Sequence, residues 1–293
     1  MNLKTLTKLA TLTLCMMFIK VKTLHANTSV TLKYQNQGVN FYTTEQLYSD
    51  KWAETLDYAL AQYQSLLYKP KKIDVYLVKS KTQASELRQQ KQISQNQQLV
   101  LSLESIASKK HQYNTEFSTI SHELCHLWLI SSVEEKGLLQ QKDPMGIPAY
   151  GHANVNDWID ESVATQCEFG EIAASRTSEV FNLVPLKEFL NQENPVFSAM
   201  KHQILAALKS SQGQQVVISQ EVDDSASIVF YQQSTWFRHY LRYRLGDNIY
   251  RDLVQKIVQQ QDVLRYLLKA LGYSNWQEVD ADFAAFINAR NQK

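Results

Sequence analysis

The stretch TISHELCHLWLI, residues 119–130, restricts the local fold more tightly than any other segment of the chain. No Gly or Pro falls between Tyr113 and Glu135. Asn114 or Thr115 can cap a helix that runs through His122 and His126 to about Glu135. Residues four apart on a helix lie about 40° apart around its axis, one turn above each other. Two histidines so placed can point imidazole nitrogens at one ion. Glu123 sits about 100° round from His122, close enough to reach a water beside that ion without binding the ion itself. The competing reading is an ordinary amphipathic helix with a solvated polar edge. That edge, however, adjoins Leu124, Leu127, Trp128, Leu129 and Ile130. Burying two neutral histidines and a glutamate against such a flank without a metal is costly.

The spacing His-Glu-x-x-His has a mechanical meaning. Zinc lowers the pKa of a bound water to near 7, and the glutamate takes a proton as the water attacks a carbonyl. A catalytic zinc takes three protein ligands and keeps one open position. A third histidine six positions after His126 would fall at Ser132, with Leu129 where a glycine is required, so the metzincin layout fails. A glutamate at the best-known gluzincin spacings would lie near Met145 or Gly146, and neither can serve. Farther on, NDWIDESVATQ, residues 156–166, offers Glu161 in the first turns of a new helix capped by Asn156 or Asp157.

The rest of the composition bounds the setting. The chain has 293 residues, 44% hydrophobic and 20% charged, which predicts a packed globular core. Residues 1–26 read as a secretory signal peptide: Lys4 and Lys8, then the apolar run Leu9–Ile19, then Leu24-His25-Ala26. The run is too short to span a bilayer, which takes roughly 20 residues. No other segment is apolar enough to span one, so no integral membrane segment is expected after signal removal. Removing residues 1–26, with four lysines and no acid, takes the formal charge from +1 to −3. That balance leaves no electrostatic footprint for nucleic acid. It also leaves two cysteines, Cys125 and Cys167. In a periplasmic or secreted chain these read either as one intramolecular disulfide or as two buried thiols, and spacing does not decide between them.

The organisation reads as a single domain over residues 27–293, in two parts. Residues 27–110 form a small mixed α/β unit. SVTLKYQ, KKIDVYLVKS and QQLVLSLES read as strands, and DKWAETLDYALAQYQSLLY reads as a helix. Residues 111–293 are mainly helical. Gly137, Pro144, Gly146, Pro148 and Gly151 crowd into a long loop, a length that is uncommon without a functional reason. IVFYQQSTWFRHYLRYRL stops at Gly246 and DVLRYLLKAL at Gly272. Ser274 and Gln277 read as a capping box for a last helix that buries Trp276, Val279, Phe283 and Phe286. The fold class is α+β.

Trp158-Ile159-Asp160-Glu161-Ser162-Val163-Ala164 resembles the W-x-x-E-G-x-A segment of the peptidase MA-like gluzincins, with Ser162 in place of the glycine. The resemblance extends at the level of pattern to KKIDVYLVKSKTQASEL, VPLKEFL and the Tyr231 helix. It implies a zincin-like fold in which His122, His126 and Glu161 bind Zn²⁺ and Glu123 is the general base. It implies a peptide or protein substrate, laid along an edge strand such as QQLVLSLES. Tyr231 would donate to the oxyanion of the tetrahedral intermediate, unless it is a core tyrosine. His239, two turns later, is the substitute for that role. Asp160 is a candidate to orient a histidine. His152 is not expected to be a ligand, and Trp158 is expected to be packing. The alternative function is a non-catalytic zinc-binding envelope protein on the same scaffold.

Overall fold

The structure is a computed structural model that describes residues 29–91, 98–108, 116–138, 151–178, 183–199, 201 and 224–291. The signal peptide expected over residues 1–26, the caps expected at Asn114 or Thr115 and most of the Gly/Pro loop lie outside those residues.

Four strands form one mixed sheet in the order β1 (Thr31–Gln35), β2 (Val39–Thr43), β3 (Ile73–Val78), β4 (Gln98–Ser102). The β1–β2 pair is antiparallel, with an irregularity between Leu32 and Tyr34, and the other two pairs are parallel. Each parallel pair needs a crossover. Helix α1 (Asp50–Leu66) joins β2 to β3, and helix α2 (Lys81–Lys91) lies between β3 and β4. The strand β2 was not among the segments that sequence patterning singles out. Its alternation is clear only in place: Val39, Phe41 and Thr43 are buried, while Asn40 and Tyr42 are less so. One sheet face joins the main core through Val39, Phe41, Val75 and Leu77. The other face carries a smaller cluster of Tyr76, Val78, Ala84, Leu87 and Val100, which α2 completes.

After a short helix α3 (Leu103–Ser108), the helix α4 (Glu116–Glu135) carries both histidines. Ile120, Leu124, Cys125, Trp128, Leu129 and Val133 are all fully buried, so α4 is central rather than superficial. Trp128 fixes it to the sheet. Its indole N–H donates to the Gly38 carbonyl at 3.1 Å. A Cβ at position 38 would lie 2.8 Å from the Trp128 ring, so only glycine admits this approach.

Helix α5 (Asp157–Gln166) follows, then α6 (Gly170–Ser175) and α7 (Leu186–Phe189). Asn156 caps α5 in extended conformation without a side-chain hydrogen bond. The carboxy-terminal helices are α8 (Asp224–Leu245), α9 (Ile249–Val258), α10 (Val263–Leu271) and α11 (Trp276–Asn291). Gly246 and Gly272 end α8 and α10 with φ of +87° and +80°. The capping box expected from Ser274 and Gln277 is shifted by one residue. Asn275 accepts the Glu278 N–H at 3.0 Å, and Glu278 reaches back to the Ser274 N–H at 3.1 Å. Glutamate outcompetes glutamine because it brings full charge to the positive end of the helix. Trp276, Val279, Phe283 and Phe286 are buried, as their spacing requires.

One hydrophobic cluster runs from the sheet through α4 and α5 to α8 and α11. The fold is α+β. Among the described residues, no helix is long and apolar enough to cross a membrane.

Candidate metal centre

Helices α4 and α5 pack against each other and place three side chains on one point. His122 and His126 present their Nε2 atoms to each other at 3.0 Å. Glu161 lies opposite, with Oε2 3.6 Å from His122 Nε2 and Oε1 3.8 Å from His126 Nε2. The histidine side chains are 13% and 12% exposed, and Glu161 is fully buried. Their donor atoms all lie within 4.8 Å of one another, and this group could hold a metal ion. Donors about 2.0–2.1 Å from a tetrahedral zinc stand about 3.3 Å apart, close to the separations found here.

The outward face of each imidazole is also occupied. His126 Nδ1 lies 2.8 Å from Asp160 Oδ1, and His122 Nδ1 lies 3.0 Å from Glu168 Oε1. At His126 the Asp160 carboxylate is hydrogen-bonded to Nδ1, which turns the Nε2 lone pair inward, whereas at His122 the Glu168 oxygen stands close to Nδ1 without a formed hydrogen bond. Two such lone pairs 3.0 Å apart repel unless a proton or a cation lies between them. Burial alone would lower the pKa of His126. The charges of Asp160 and Glu161 outweigh it and raise the imidazole to about 10, so it holds a proton whenever no cation replaces it.

The acids are themselves fixed. Arg176, the residue after α6, donates to both oxygens of Glu168 at 2.9 and 2.8 Å. Burial would raise the Glu168 carboxyl, but the Arg176 and His122 contacts hold it down at about 2. The Glu161 Oε1 accepts from the Asn194 side-chain amide at 2.9 Å. Asn194 Oδ1 is taken by the Val196 N–H at 3.0 Å, which turns the amide nitrogen toward Glu161. The Asn194 backbone N–H donates to Asp157 at 2.6 Å. Burial, aided by the charges of Asp160, Glu193 and Glu161, lifts the Asp157 carboxyl to about 7.

Gly151 closes the back of the centre. Its φ is +53°, and a Cβ there would lie 2.0 Å from Asp160 Oδ2. Only glycine lets the chain pass this close to the carboxylate that orients His126.

No family model matches the chain, and no curated protein matches it significantly. What the centre can do is carried by its side chains.

Tyr231, on α8, reaches the site. Its ring centroid lies 6.2 Å from that of His122. Burial and the Glu161 charge push its phenol well above the usual value, so it stays a proton donor. Glu123 is half-buried beside His122, and its charge acts on both His126 and Tyr231. His239 lies elsewhere, beside Trp236 and under the influence of Arg238, Arg290 and Arg242. His152 is a structural tie. Its Nδ1 accepts the Asn154 N–H at 3.2 Å, so the proton sits on Nε2 and is donated to the Leu138 carbonyl at 2.8 Å. Trp158 is buried against Phe237, with ring centroids 5.3 Å apart. The sulfurs of Cys125 and Cys167 lie at bonding distance, with their Cα atoms 6.5 Å apart, between α4 and the end of α5.

Glu168, Arg176, Asn194 and Asp157 were not among the sequence candidates. Glu168 directly follows Cys167, and the pairing of the cysteines brings it to α4. That adjacency was the one available signal. Nothing local marks Arg176 or Asn194.

Proposed function

We propose that this chain is an exported zinc-dependent metallopeptidase of the gluzincin type, with His122, His126 and Glu161 as ligands and Glu123 as general base. The observation that carries the reading is the convergence of two Nε2 atoms and one buried carboxylate, each imidazole backed by its own acid. Such backing is the usual arrangement around a histidine ligand, because it fixes the tautomer and raises basicity. The donor set of two nitrogens and one oxygen suits zinc, and with three protein ligands it leaves the open position that catalysis requires.

Zinc in this site would supply a water of pKa near 7 and polarise a peptide carbonyl. Glu123 takes the proton of the attacking water and later delivers one to the leaving amine. Tyr231, kept protonated, donates its O–H to the carbonyl oxygen as negative charge develops there. Asp160 and Glu168 hold the imidazoles in place throughout. Residues 1–26 and the paired cysteines support export to the periplasm or beyond.

The test is hydrolysis of a panel of peptides and denatured proteins by the zinc-loaded chain and its Glu123→Gln variant. The wild type should cleave. Glu123→Gln should retain zinc and lose activity by about 10²-fold or more. Cleavage at the wild-type rate by Glu123→Gln would refute Glu123 as the base. Full zinc binding with no cleavage of any substrate would favour a non-catalytic zinc protein on the same scaffold.

A further inference from the structure

Arg176 lies in no segment with a recognisable motif, yet it touches two parts of the centre at once. Its guanidinium forks onto both oxygens of Glu168, at 2.9 and 2.8 Å. The same carboxylate lies 3.0 Å from His122 Nδ1. Its other contact is with Tyr231, whose ring centroid lies 4.5 Å from the guanidinium carbon. That ring in turn stands 6.2 Å from the His122 ring. The four side chains therefore form a closed circuit of Tyr231, Arg176, Glu168 and His122.

We propose that this circuit positions His122 for metal binding, with Arg176 as its positioning residue and the aromatic ring of Tyr231 as the platform that holds Arg176. The inference rests on the metal-binding part of the proposed function and not on catalysis. The physical argument has three steps. His122 Nε2 must point inward, and the Glu168 carboxylate at Nδ1 sets that orientation. Glu168 is 3% exposed and would turn aside if left unpaired, so a fixed cation must hold both its oxygens. A guanidinium does this with two parallel hydrogen bonds, and an aromatic face below it fixes the guanidinium plane. Tyr231 thus has two separable parts. Its ring supports the metal site through Arg176, and its hydroxyl belongs to the chemistry proposed above.

The measurement is the affinity for Zn²⁺, read by competition with a chromophoric chelator. The visible spectrum of the Co²⁺-loaded protein is recorded beside it, and the thermal midpoint controls for folding. Glu168→Gln and Arg176→Met should each weaken Zn²⁺ binding by about 10-fold or more, the range that outer ligands of a metal site govern. Their double variant should lose no more than the larger single loss, because both act through one contact. Arg176→Lys should recover part of the affinity, since it restores charge but not the fork. Tyr231→Phe, which keeps the ring, should bind within about 2-fold of wild type, whereas Tyr231→Leu should weaken binding and shift the Co²⁺ spectrum. Folded Arg176→Met with wild-type affinity, or additive losses in the double variant, would overturn the inference and leave the metal centre itself standing. A wild type that binds no Zn²⁺ would overturn both.

Discussion

At the residue scale, the candidate ligand pair was legible because His122, Glu123 and His126 lie about one turn apart on one helix. Glu161 was reachable because its own helix start is marked. Glu168 and Arg176 were not legible. Their meaning arises only when the chain after α5 folds back against α4, and an isolated Glu or Arg eight residues apart carries no periodic signal. Gly151 shows the same limit in reverse. It reads as one more loop glycine, yet it combines φ of +53° with a Cβ position 2.0 Å from Asp160 Oδ2. Gly151→Ala should destabilise the fold by about 1–3 kcal/mol in a chemical denaturation series. It should also weaken metal binding, because Asp160 must move off His126. An unchanged midpoint and affinity would show that the loop yields freely. His239 gives a pH signature independent of the metal. Burial, then Arg238, Arg290 and Arg242, depress its imidazole to about 4. Its folded pKa lies below the unfolded value of about 6.5, so the native state binds fewer protons in that window. Stability should fall as pH drops from about 6.5 to 4, and His239→Phe should flatten that part of the curve. A slope unchanged by the substitution would assign the effect to other groups.

At the scale of elements, period and punctuation located the long helices well. The sequence around α4 has no breaker, and α8 and α10 end at glycines with positive φ. Two details escaped. The strand β2 is no shorter than β1 or β4, but its run Val39-Asn40-Phe41-Tyr42-Thr43 sets an aromatic on the less buried face and a polar Thr on the buried one, so it does not read as apolar–polar alternation. The α11 cap moved from Ser274 to Asn275 because both can cap, and the charge of Glu278 decides between them. The cysteines were undecided by spacing and are decided by packing, since α4 and the end of α5 bring Cys125 and Cys167 to bonding distance. The loop such a bond closes contains His126 and Glu161. His122 and Glu168 stand just outside it. For a separation of 42 residues, the chain-entropy model attributes about 4 kcal/mol to the cross-link. Replacing both cysteines by alanine should lower stability by an amount of that order, and metal affinity should fall with it as α5 loosens from α4. Equal stability in the two proteins would show the bond to be absent or without effect.

At the scale of the whole molecule, the centre sits where one hydrophobic cluster joins the sheet, through Trp128 and Gly38, to the helices that carry Glu161 and Tyr231. The α+β class was legible from the change in period near residue 110. The parallel pairing of β4 with β3 was not, because pairing direction depends on crossovers that a single strand does not encode. Since the three residues that could hold an ion come from two helices held by that shared core, occupancy of the centre should stabilise the molecule as a unit. Zinc at 100 times its dissociation constant adds about 2.7 kcal/mol if it binds only the folded state. A chelator should accordingly lower the thermal midpoint by several degrees, and zinc should restore it. The most direct measurement of the central claim is a crystal structure of the zinc-loaded protein with anomalous data collected at the zinc edge. The account predicts one strong peak about 2.0–2.2 Å from His122 Nε2, His126 Nε2 and a Glu161 carboxylate oxygen. No peak there, or a peak that leaves Glu161 out of the coordination sphere, would contradict it.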